Sequence, residues 1–145
     1  MPEQAAITTP TQPGVPGKTP YILVVEDDAF LVRAYEVMLT SQGYSVRIAA
    51  DGEAALEHIQ SAEPPGLILL DLMLPRKSGF EVLEAMGTNE AARAIPVIVL
   101  SNLGQPADME RATTLGAKAY FVKADTPLEN VVSTVQQYVG APPNK

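Results

Sequence analysis

Short apolar runs alternate along this chain with segments of helical periodicity, and that alternation leaves few folds open. Tyr21-Ile22-Leu23-Val24-Val25 is unbroken and β-branched, the pattern of a strand buried on both faces. Leu31, Ala34, Tyr35, Met38 and Leu39 then recur at helical spacing, with Gly43 as the stop. Tyr44, Val46 and Ile48 alternate with Ser45, Arg47 and Ala49, which predicts a half-exposed edge strand. Asp51 caps a second helix running to about residue 62, with Leu56 and Ile59 inward. Residues 66–70 form a second wholly apolar strand, and Phe80, Leu83 and Met86 mark the helix after it. A fourth strand at 95–100, a fourth helix from Pro106 to about residue 115 and a fifth strand at 119–122 follow. Leu128, Val131, Val132, Val135, Tyr138 and Val139 form the inner stripe of the last helix. Five βα units joined by right-handed crossovers make an α/β domain, a doubly wound five-stranded parallel sheet with five helices.

The flanks read differently. Residues 1–19, with Pro2, Pro10, Pro13 and Pro16, and residues 141–145 lack the apolar surface to offset ordering entropy, so flexible tails are expected around a domain at 20–140. The chain has 145 residues, 46% of them hydrophobic, which suits one compact core. A formal charge of -7 without any Lys/Arg-rich run argues against direct nucleic-acid binding. No cysteine is present, which removes disulfides, thiol catalysis and Cys-ligated metals. No apolar run reaches the roughly 20 residues that span a bilayer, and no secretion signal opens the chain. A cytoplasmic domain without membrane contact is the expectation.

In doubly wound folds, ligands bind at the carboxyl ends of the strands. The first run ends in Glu26-Asp27-Asp28, the third in Asp71, the fourth in Ser101 and the fifth in Lys123. Crowded carboxylates repel one another, and a divalent cation relieves that repulsion; all-oxygen ligands suit Mg²⁺. Taken singly these residues are ordinary. Asp28 reads as a helix cap, Ser101 as a turn former and Lys123 as a surface charge. Asp71 inside Leu69-Leu70-Asp71-Leu72-Met73-Leu74 has no structural reason to be there, and beside Lys123 it stays ionised and able to attack phosphorus.

Val24-Val25-Glu26-Asp27-Asp28, then Leu70-Asp71-Leu72-Met73-Leu74-Pro75 with Ser78-Gly79, then Ser101, then Tyr120-Phe121-Val122-Lys123, together resemble the response-regulator receiver family of two-component signalling. The resemblance covers roughly residues 20–140. It implies a flavodoxin-like (CheY-like) strand order 2-1-3-4-5, with Asp71 as phosphoryl acceptor and Lys123 and Ser101 contacting the phosphoryl oxygens. Asp27 would ligate Mg²⁺ directly, Glu26 partly through water, Asp71 as a third ligand and Met73 through its backbone carbonyl. Ser101 and Tyr120 are the implied switch residues, Tyr120 turning inward on phosphorylation. The output surface would be the fourth helix, fifth strand and fifth helix. The chain is then a stand-alone phosphoacceptor rather than an enzyme, catalysing only its own phosphorylation and slow dephosphorylation. Its partners would be a sensor histidine kinase or histidine phosphotransfer protein, a downstream protein target, and a second copy of itself if it dimerises.

Two departures bear on this. Ala124 follows Lys123 where the family usually has proline, so a trans bond is expected there. Met73 and Leu103, apolar and bulky, flank the path of an attacking water and predict slow loss of phosphate. His58, the only histidine, reads as a helix residue away from the site. Among other readings, a receiver-fold scaffold that is never phosphorylated would be expected to lack part of the Glu26, Asp27, Asp71, Ser101, Lys123 set. An aspartyl phosphatase would carry a second Asp where Met73 stands, and a nucleotide-binding domain would need a Gly-rich loop after the first strand.

Overall fold

The computed structural model describes residues 21–139. The two predicted tails lie outside them. A parallel sheet is built from β1 (Tyr21–Val25), β2 (Ser45–Ala49), β3 (Leu67–Leu70), β4 (Val97–Ser101) and β5 (Ala119–Val122), in the order β2-β1-β3-β4-β5. This is the doubly wound, flavodoxin-like order expected. Helices α1 (Ala29–Ser41), α2 (Gly52–Ile59), α3 (Gly79–Gly87), α4 (Pro106–Thr114) and α5 (Leu128–Val139) connect and follow the strands.

The three central strands are buried at every position, as their unbroken apolar sequences require. Alternate strand residues feed two cores. On one face Ile22, Val24, Leu69 and Ile98 meet Tyr35 and Leu39 of α1 and Val131, Val132 and Val135 of α5. On the other, Leu23, Ile68, Leu70 and Val99 meet Ala55 and Ile59 of α2, Phe80 and Leu83 of α3 and Ala112 of α4. The outer strand β2 is half-exposed, as its alternation predicts.

Four details differ from the sequence expectation. A sixth, one-turn helix, Glu90–Arg93, lies between α3 and β4, capped by the Asn89 side chain accepting from the Ala92 N–H. Helix α2 stops at Ile59 rather than near residue 62, because the Ser61 hydroxyl takes the His58 carbonyl and Pro64-Pro65 cannot continue a helix. Strand β4 begins at Val97; Pro96 lacks an N–H and contributes only its carbonyl, to Ile68. On α5, Tyr138 falls outside the buried stripe at 41% exposure and donates to the Lys118 carbonyl. His58 is half-buried with its ring edge-on to Tyr21, remote from the carboxyl ends of the strands. No helix among the described residues is long and apolar enough to cross a membrane.

Candidate functional site

The carboxyl ends of β1 and β3 are held side by side: Val25 pairs with Leu70, and the Asp71 N–H still donates to the Val25 carbonyl at 3.0 Å. Glu26 is similarly tied to the Ala49 carbonyl at 3.0 Å. Two acidic residues are thus fixed at adjacent strand ends, and both are buried, Glu26 at 3% and Asp71 at 6% exposure. Asp27, one residue on, is exposed. Carboxylate oxygens of Glu26, Asp27 and Asp71 lie within 4.8 Å of one another. Buried carboxylates at this spacing need a countercharge. An all-oxygen set with one member open to solvent has the chemistry to hold a divalent cation.

Lys123 supplies part of that countercharge. It leaves the end of β5 and places Nζ 2.6 Å from Glu26 Oε1 and 3.0 Å from Asp71 Oδ2. Burial pushes the Glu26 carboxyl above its ordinary range; the Lys123 hydrogen bond opposes this and the Asp71 charge adds to it. Burial alone would lower the Lys123 ammonium, but hydrogen bonds to Glu26 and Asp71 outweigh it and hold it above its usual value. The other Asp71 oxygen, Oδ1, accepts from the Met73 N–H at 3.1 Å. Both oxygens of Asp71 are therefore oriented. The Met73 side chain is 61% exposed, so this residue reaches the site through its backbone.

Ser101 ends β4 and is fully buried; its hydroxyl accepts from the Leu103 N–H at 3.1 Å. Tyr120, on β5, turns toward the same loop and donates to the Leu103 carbonyl. Burial raises its phenol, against the pull of the adjacent Ser101 hydroxyl. Ser101 and Tyr120 thus form a second cluster around the β4–α4 loop. Cross-strand register sets it beside the first, since Ser101 pairs with Val122, the neighbour of Lys123.

Asp28 does what a lone strand-end Asp usually does: its Oδ1 caps α1 through the Phe30 and Leu31 N–H groups. The Lys123–Ala124 bond is trans, like every peptide among the described residues, and opens a 3₁₀ turn over Lys123–Asp125. Gly79, which the sequence shows only beside Ser78 in the motif, is a packing residue: a Cβ there would run into the Asp71 carbonyl and the Leu72 Cα. Only a glycine lets α3 start this close beneath Asp71. Tyr35, read as a core position, has its phenol raised by burial, and it lies near enough to the site that the Lys123 charge opposes this in part.

Residues 22–135 match the sequence model of the response regulator receiver domain. A probable transcriptional regulator, ycf27, of Cyanophora paradoxa is 41% identical over 74% of this chain and 44% of its own length. The chain therefore spans less than half of that relative. Among solved structures, the Mn²⁺-bound form of response regulator Rcp1 superposes with a TM-score of 0.72 at 30% identity, over 82% of this chain and 93% of that one. The receiver domain of the Pseudomonas aeruginosa sensor histidine kinase PA1611, with magnesium coordinated in its active-site cleft, gives a TM-score of 0.73 at 27% identity, over 86% and 100%. The family match over most of the chain and the shared fold identify it: the chain belongs to the response regulator receiver family of two-component signalling.

Proposed function

We propose that Asp71 accepts a phosphoryl group from a phosphohistidine, in a Mg²⁺-dependent reaction, and that the resulting change is read by a protein partner. The observation that carries this reading is the Asp71 carboxylate, buried at a strand end yet kept oriented by Lys123 on one oxygen and the Met73 N–H on the other. One Asp71 oxygen attacks phosphorus as the P–N bond to the donor imidazole breaks, giving an aspartyl phosphate and free imidazole. Lys123 follows the new negative charge from carboxylate to phosphoryl oxygen, and the Ser101 hydroxyl donates to a second oxygen. Glu26, Asp27 and Asp71, with the Met73 carbonyl, would hold Mg²⁺, which when bound neutralises charge on the phosphoryl oxygens.

The partners that fit are a sensor histidine kinase or a histidine phosphotransfer protein in the cytoplasm. Beyond its own phosphorylation and slow dephosphorylation the domain catalyses nothing. Output runs through Ser101 and Tyr120 to the α4–β5–α5 face, which is available to a target protein or a second copy of the chain. The test is intact mass after incubation with acetyl phosphate and Mg²⁺. One added phosphoryl group, absent from Asp71→Asn and from chelated samples, supports the reading. No adduct under any condition would overturn it in favour of a constitutive scaffold.

A further inference from the structure

The loop between β3 and α3 carries a device that the chemistry above does not use. Arg76 has φ +67°, and the Lys77 N–H donates back to the Pro75 carbonyl at 2.7 Å. Together these make a γ-turn of the rare positive-φ kind, centred on an arginine. A residue with a Cβ resists this conformation, so the surroundings must hold it. Two contacts do. Arg76 Nε donates to Asp51 Oδ2 at 2.9 Å, while Asp51 Oδ1 accepts from the Ala54 N–H at 2.8 Å as the cap of α2. On the next residue, Gly52 sits so close to the loop that any side chain there would collide with the Lys77 carbonyl and Cβ.

The turn lies inside a tight loop anchored on Asp71, its first residue, Pro75, two positions after Met73. The Met73 N–H donates to Asp71 Oδ1 and the Gly79 N–H to the Leu72 carbonyl at 2.9 Å. A change of backbone direction at Arg76 is therefore transmitted to the group that orients Asp71. We propose that the Asp51–Arg76 ion pair is a latch that positions the phosphoacceptor, holding the γ-turn and thereby keeping the Met73 N–H on Asp71 Oδ1. Arg76 acts through the backbone and is a positioning residue. The inference rests on the receiver reading above and extends it to the loop's geometry. An ion pair with Arg76 at 63% side-chain exposure adds little to global stability. Its effect is on where the loop sits, and small displacements of a reacting group cost rate steeply.

The test compares initial rates of phosphorylation by acetyl phosphate and Mg²⁺, read by intact mass, with melting temperatures alongside. Arg76→Ala loses the latch and resists positive φ. Asp51→Asn keeps an acceptor for the cap but leaves Arg76 unheld. Both should be slower by on the order of tenfold, a fraction of what a full ångström of misplacement costs. The double variant should be no slower than either. Arg76→Gly lacks the latch but adopts positive φ freely, so its rate should return to within about twofold of wild type. Wild-type rates in Arg76→Ala and Asp51→Asn, effects that multiply in the double variant, or a glycine variant as slow as the alanine one would each overturn the latch. A wild-type chain that takes no phosphoryl group would instead overturn the phosphoacceptor reading, and the latch with it.

Discussion

Replacing Lys123 by methionine keeps an apolar stem and removes the ammonium that Glu26 and Asp71 share. The side chains of Lys123, Glu26 and Asp71 are 11%, 3% and 7% exposed, so water screens the remaining carboxylates poorly. Removing one member of a buried ion pair costs about 3–5 kcal/mol. Glu26 can limit the loss by taking a proton. From an ordinary value of 4.5, protonation at about pH 7 costs roughly 2.5 × 1.36, or about 3.4 kcal/mol. The expected loss of unfolding free energy in chelator is therefore about 3 kcal/mol at neutral pH. Its pH dependence has a definite sign. A carboxyl raised in the folded state favours folding when protonated, and that contribution is lost as pH rises. The deficit should shrink by about 1.4 kcal/mol for each unit the pH is lowered toward about 5.5. In the wild type the raised Lys123 contributes stability at neutral pH and loses it only as pH climbs through the lysine range. Urea unfolding followed by circular dichroism, with and without chelator, measures both quantities. A loss under about 1 kcal/mol at neutral pH, or one that is the same at both pH values, would refute the argument.

Gly79→Ala places a Cβ against the backbone of Asp71 and Leu72, an overpacking worth about 1–3 kcal/mol; an unchanged melting temperature would show that α3 can retreat without cost. Polar residues at Met73 and Leu103 together should hasten decay of the phosphorylated form by opening the water's path. An unchanged half-life would remove these side chains from the account. Tyr120→Phe deletes the donor to the Leu103 carbonyl and should cost about 1 kcal/mol while leaving phosphorylation of Asp71 intact. Loss of the adduct in that variant would place Tyr120 in the chemistry rather than the response.

The sequence made the sheet legible because central parallel strands are buried on both faces and must be apolar throughout; Leu67–Leu70 and Val97–Ser101 could be little else. The acidic ends and Lys123 were legible for the opposite reason, as charges interrupting apolar runs. What escaped depends on conformation or on pairs distant in sequence. Nothing about an arginine announces positive φ, and Arg76 meets Asp51 across 25 positions. The Asn89 cap stood in plain view, but one turn of Glu-Ala-Ala-Arg is too short for periodicity to register. Gly79 reads as a turn residue until the carbonyl lying against it is known.

The sheet grades from β1, β3 and β4, buried throughout, to β5, where all four residues are only partly covered. Helix α4, which packs beside β5, buries Ala112 alone. Amide protons of the central strands should then exchange with solvent only when the whole molecule unfolds, while those of α4 and β5 exchange through cheaper local openings. The edge that would carry the signal is packed less tightly than the centre of the sheet, so a modest event at Asp71 has less cohesion to overcome there than in β1, β3 or β4.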